Sequence, residues 1–127
     1  MLKSTVVLGA SLKSNRYSHF AVQKLSRYKH EVYAVGLRSG EIDGVAVDTF
    51  ENAFAKASKH QSQFHTVTLY LSPKHQEAYF EYVLALQPQR VIFNPGTENP
   101  VFYALLKEKG IAYEEACTLV LLSTNQY

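Results

Sequence analysis

The feature that most restricts the fold of this chain is an unbroken apolar run, Thr5-Val6-Val7-Leu8, that stops at Gly9. Continuous rather than alternating apolarity marks a strand buried on both faces, as in a parallel sheet covered by helices. Ala21, Leu25 and Tyr28 follow at i, i+4 and i+7, which is helical spacing. Glu31-Val32-Tyr33-Ala34-Val35 is then a second strand ending at Gly36. The first 36 residues therefore read as strand, glycine turn, helix and strand.

The same pattern continues. Glu41 to Val47 is a short extended excursion with a turn at Asp43-Gly44. Asp48 or Thr49 can cap a helix whose apolar face is Phe50, Ala53, Phe54 and Ala57. Val67 to Leu71 is a third strand, and Pro73 enters a helix carrying Tyr79, Tyr82, Val83 and Leu86. Arg90-Val91-Ile92-Phe93 is a fourth strand. Asn99-Pro100 starts a helix, with Phe102, Leu105 and Leu106 inward and Gly110 at its end. Ile111-Ala112-Tyr113 opens a fifth strand, and the apolar tail from Cys117 to Leu122 docks as a strand or short helix. The expectation is one Rossmann-like α/β domain over residues 1–127, three layers deep, with a five-stranded parallel sheet of order 3-2-1-4-5.

Bulk properties narrow the function. With 127 residues, the chain is the size of one domain, and 46% hydrophobic content supports a real core. A net charge of +2 without a dense Lys/Arg stripe argues against nucleic acid. A single cysteine, Cys117, leaves no internal disulfide and no cysteine-based zinc site, and the five histidines are scattered, so no metal is expected. With no signal-peptide pattern and no membrane-length apolar run, the expectation is a cytoplasmic protein that does not engage a membrane.

In such sheets ligands bind outside the carboxyl ends of the strands, beside strand 1. The turn Gly9-Ala10-Ser11 lies there, where a glycine allows close approach of an anion and the next helix directs free N–H groups and its dipole at it. Arg16 adds a forked donor suited to phosphate. The second and third glycines of the dinucleotide fingerprint are missing. After strand 2, an NAD site would carry an acid for the ribose, but this chain has Gly36-Leu37-Arg38. A base there favours a phosphorylated ribose, as in NADP or coenzyme A. Ser72, Asn94 and Gly96 sit on the same rim, and Cys117 follows strand 5, where it could meet a bound thiol. Tyr70-x-x-x-Lys74 and Tyr103-x-x-x-Lys107 match a dehydrogenase spacing, but the first is split by Pro73 and nine tyrosines make chance matches expected.

Val6-Val7-Leu8-Gly9-Ala10-Ser11, then Asn15-Arg16-Tyr17-Ser18, then Glu31 to Val35, resemble the stand-alone CoA-binding domain family. These are Rossmann-like proteins similar to the CoA-binding domain of succinyl-CoA synthetase α subunits. Gly40-Glu41-Ile42-Asp43-Gly44, Asn94 to Asn99 and Glu115 to Thr118 are similar to its later loops. The resemblance implies that Gly9, Ser11 and Arg16 meet the CoA diphosphate and that the loop after strand 2 approaches the adenosine, and Ala10, Tyr17 and Ser18 are further candidate ligand-binding residues. Where many members close strand 2 with Asn-Pro, this chain has Gly36-Leu37-Arg38. The resemblance implies binding of a nucleotide ligand, coenzyme A or an acyl-CoA, with no reaction attached. A small NADP-binding oxidoreductase-like domain and a fold-only interaction module are the alternatives.

Overall fold

The computed structural model describes all 127 residues. Strand β1 (Thr5–Leu8) has every residue buried, and its side chains alternate between two cores. Val6 and Leu8 enter one, Val7 the other. Helix α1 (Tyr17–Arg27) covers the second core with Val22 and Leu25, beside the C-terminal helix α6 (Thr118–Ser123) and its Leu122. The first core lies under α2 (Phe50–Ala55), α4 (Phe80–Leu86) and α5 (Pro100–Glu108), through Ala53, Val83, Leu86, Phe102 and Leu106. The result is a three-layer α/β sandwich of Rossmann type.

The sheet differs from the expected five parallel strands. It has seven: β2 is Val32–Gly36, β3 Gly40–Ile42, β4 Val45–Thr49, β5 Thr66–Leu69, β6 Arg90–Phe93 and β7 Ala112–Glu115, in the order β3-β4-β2-β1-β5-β6-β7. The excursion after strand 2 is the source of the difference. Asp43 (φ 47°) and Gly44 (φ 85°) form a two-residue turn with both φ positive, so β3 folds antiparallel onto β4. Strand β4 then inserts beside β2, parallel to it, with Val35 opposite Asp48. It occupies the place expected for the segment 67–71, which instead lies as β5 against the other edge of β1. The sheet is therefore mixed, with one antiparallel edge strand.

Other local expectations meet smaller changes. The helix after Pro73 is broken into α3 (Pro73–Gln76), a 3₁₀ turn at Glu77–Tyr79, and α4. Thr49 caps α2 through Asn52 N–H, and Asn99 caps α5 through Phe102 N–H, with Pro100 at the first helical position. The tail is helical. No helix is long and apolar enough to cross a membrane.

Candidate functional site

The carboxyl ends of β1, β2, β5 and β6 open into a cleft of about 720 Å³. Its centre is the segment joining β1 to α1. The amides of Gly9 and Ala10 both donate to the Val35 carbonyl at 2.9 Å, which turns the chain toward β2. Gly9 has φ 100°, and a Cβ there would sit 3.1 Å from the Tyr70 carbonyl carbon, so only glycine fits. The helix does not start at this turn. Residues 11–16 form a loop, and α1 begins at Tyr17 with Arg16 as its N-cap residue.

That loop is pinned from α1. The Ser11 amide donates to the Ser18 hydroxyl (3.1 Å), the His19 Nδ1 meets the Ser11 carbonyl (2.9 Å), and the Lys13 amide donates to the Ser11 hydroxyl (3.1 Å). Ser11 thus accepts a bond from its own loop with its hydroxyl. An arginine cannot cap a helix, no side chain caps α1, and its first turn holds no acid. The Tyr17 and Ser18 amides have no protein acceptor. A helix end in this state attracts negative charge.

The residues singled out in the sequence divide into two groups. Gly9, Ala10, Ser11, Arg16, Tyr17, Ser18, Arg38, Ser72 and Gly96 all line the cleft. Gly36 and Asn94 do not. A Cβ on Gly36 would stand 2.1 Å from the Ala10 carbonyl oxygen, so this glycine lets the β1 loop rest on the end of β2. Asn94 is buried, its amide donating to the Thr68 hydroxyl (2.6 Å) and Leu69 carbonyl (2.8 Å), while its oxygen accepts the Thr118 amide (2.9 Å). It fastens β5, β6 and α6 together. Gly96 (φ 90°) is the third residue of a turn closed by Thr97 N–H to Asn94 C=O, with Pro95 before it. Cys117 is the N-cap residue of α6 and is not part of the cleft wall.

Several wall residues are not among those the sequence singled out for the ligand. Lys13 lies on the loop, Leu12 packs against Gly40 of β3, and Leu37 projects beside Arg38. Phe50 forms the opposite wall, stacked on Tyr79 at 4.2 Å. Tyr70 also lines it, and burial pushes its hydroxyl well above the ordinary tyrosine value. Gln76, fully buried, holds the far rim: its amide donates to the carbonyls of Leu71 (2.8 Å) and Thr97 (2.7 Å), and its oxygen accepts from Asn99 (3.0 Å).

Electrostatically the cleft is one-sided. Lys13, Arg16 and Arg38 are exposed on its wall, and no Asp or Glu lines it. None of the three joins either ion pair of the protein, Lys56–Asp48 or Arg90–Glu114. Ser72 and His75 share a hydrogen bond at 2.9 Å, and no carboxylate bonds the imidazole. No group of three or more His, Cys, Asp or Glu is placed to hold a metal ion.

Residues 3–123 match the family described as CoA binding domain. The chain belongs to the CoA-binding domain family. Its fold is shared with solved structures. A crystal structure of an uncharacterized protein has 38% identity and a TM-score of 0.89, over 100% of this chain and 99% of that one. A protein from Thermus thermophilus has 22% identity and a TM-score of 0.81, over 99% and 91%, respectively. An NADPH-dependent glyoxylate/hydroxypyruvate reductase from Sinorhizobium meliloti has 13% identity and a TM-score of 0.62, over 87% of this chain and 44% of that one, a likeness of fold alone. No match to a curated protein was found. Of the two ligands the sequence leaves open, family membership supports coenzyme A and lends nothing to NADP.

Proposed function

We propose that the cleft binds coenzyme A, free or as an acyl-CoA, and that the protein holds this ligand without transforming it. One observation carries the reading: three unpaired cations and the uncapped first turn of α1 meet in a cleft that no carboxylate lines. Such a site suits a compact polyanion. The diphosphate lies against Gly9, Ala10 and Ser11 and the amides of Tyr17 and Ser18, with Arg16 forked onto it. Arg38 takes the phosphate on the ribose. Ser72 and Gly96 flank the pantetheine, while Gly36 and Asn94 hold the wall behind the ligand. The absence of reaction is favoured by the Ser72–His75 pair, where an imidazole with no orienting carboxylate is a poor base for the hydroxyl.

Isothermal calorimetry with coenzyme A and NADP tests the reading. Coenzyme A binds and NADP does not, and Arg16→Ala weakens coenzyme A by about 1–3 kcal/mol, the scale of a charge-assisted hydrogen bond. Tighter binding of NADP refutes the ligand, and unchanged affinity in the variant removes Arg16 from the site. Release of acid from an acyl-CoA in proportion to enzyme refutes the non-catalytic part.

A further inference from the structure

The β3–β4 hairpin takes no part in the wall of the cleft. A Rossmann-type parallel sheet closes without an antiparallel edge strand, and β3 adds only three residues to this one. Gly40 and Glu41 are exposed, and Ile42 alone is buried, in the core beneath α1. The hairpin adds little to the core, yet it is fixed in place. Ile42 anchors it from below, and the Gln23 side-chain amide of α1 donates to the Asp43 carboxylate at 2.9 Å.

The loop that carries Lys13 and Arg16 stands on this hairpin. A Cβ on Gly40 would lie 2.8 Å from both methyl carbons of Leu12, so the Leu12 side chain rests on bare backbone of β3. Gly40 has no positive φ, and its missing side chain therefore answers a need for space, not for an unusual backbone. The two ends of the loop are tied to α1. Ser11 bonds the Ser18 and His19 side chains, and the Arg16 carbonyl accepts from the His19 and Phe20 amides. Between those ties, residues 12–15 are exposed and form hydrogen bonds only within the loop. The seat of Leu12 on Gly40 is what braces this span from a second element.

We infer that Gly40 is a positioning residue for the cleft: β3 is the rest on which Leu12 sits, and the depth of that seat sets the reach of Lys13 and of the turn leading to Arg16. Gly40 itself does not line the cleft. The inference rests on the coenzyme A reading for its ligand, while the seating of the loop is a property of the protein alone.

The test compares the full chain with Gly40→Ala, Leu12→Ala and the double variant by calorimetry with coenzyme A, thermal unfolding and nitrogen-15 NMR spectra. The new methyl meets the movable end of a side chain, so Gly40→Ala keeps its Tm within about 2 °C of the parent. It binds coenzyme A about fivefold or more weakly, because the cations are displaced. Leu12→Ala removes the brace and the clash together. It binds about threefold more weakly than the parent, and adding Gly40→Ala to it costs less than about 1.5-fold more. Equal affinity of Gly40→Ala and the parent overturns the inference. A loss in Gly40→Ala that Leu12→Ala does not absorb also overturns it, since the methyl then acts on something other than Leu12. A fall in Tm beyond about 5 °C does the same, because backbone has then given way. If coenzyme A fails to bind the parent, the coenzyme A reading falls instead, and the spectra judge the brace. Amides of residues 12–16 shift in Gly40→Ala, and those of the double variant match Leu12→Ala; amides that do not move overturn the inference.

Discussion

Replacing Gln76 tests whether the far rim of the cleft is held by one buried amide. In Gln76→Leu the Leu71 and Thr97 carbonyls and the Asn99 amide lose their partner. A buried group left unsatisfied costs about 1–3 kcal/mol. The Leu71 carbonyl, half-buried on the cleft wall, falls at about 1 kcal/mol, and the buried Thr97 carbonyl and Asn99 amide fall at about 2 kcal/mol each. The added apolar contact of leucine returns about 1 kcal/mol. The net loss is then about 4 kcal/mol, or about 12–20 °C in Tm for a domain of this length. Gln76→Glu keeps the shape but turns a carboxylate toward two carbonyl oxygens. Burial and that repulsion raise its folded pKa above the unfolded value. Such a group is tolerated below the unfolded pKa and becomes destabilising as pH rises through the folded one. Denaturant unfolding should therefore show the Glu variant recovering part of its loss between pH 7 and about pH 4.5, relative to the parent. A Leu variant within about 1 kcal/mol of the parent, or a Glu variant equal to it at pH 7, refutes the role given to Gln76.

Three more outcomes follow from the same geometry. Gly36→Ala places a Cβ 2.1 Å from the Ala10 carbonyl oxygen, a backbone atom that cannot step aside cheaply, and should cost at least about 2 kcal/mol in urea unfolding. Gly44→Ala, with positive φ but no atom within 4 Å of the new Cβ, should cost about 1 kcal/mol in the same experiment. Burial alone would raise the Asp48 carboxyl, but hydrogen bonds from Lys56, Tyr33 and Asn52 outweigh it and hold the pKa at about 2, below its ordinary 3.8. That stability is present above pH 4 and lost as pH falls through about 2. It is worth about 1 kcal/mol once the half-exposed Lys56 is allowed for, and Asp48→Asn should flatten the acid limb of the stability curve.

The parts of the fold legible in the sequence are those whose burial leaves a continuous pattern. Val6-Val7-Leu8 and Val91-Ile92-Phe93 have no polar interruption because both faces of the central strands are covered. Strand β4 carries the opposite signature. Val47 is buried, Ala46 exposed and Asp48 paired with Tyr33 and Lys56, so five residues between polar neighbours read as a surface excursion. Its place in the sheet depends on pairing with β2, which local pattern does not encode. The 3₁₀ turn at Glu77–Tyr79 was hidden for a related reason, since the spacing from Tyr79 to Leu86 is helical and only the entry is not.

For the site, topology supplied the correct rim, and residue type could not say which rim residues face the cleft. Gly9, Gly36 and Gly96 are the same residue at equivalent strand ends, yet Gly36 is consumed by the Ala10 carbonyl and the other two reach the cleft. Asn94 looked like a polar lining group, and its three bonds to β5 and α6 turn it inward. The decisive property, which polar groups remain free, depends on partners far apart in the chain, such as Gln76 with Thr97 or Ser11 with Ser18 and His19. Free cations were more readable than free amides. Arg16 has no carboxylate within ten residues and Arg38 has none before Glu41, and both arginines remain unpaired in the folded chain. Unpaired charge beside strand ends is thus the part of a binding site that survives in one dimension, because long-range hydrogen bonding mostly consumes neutral groups and seldom a loop arginine.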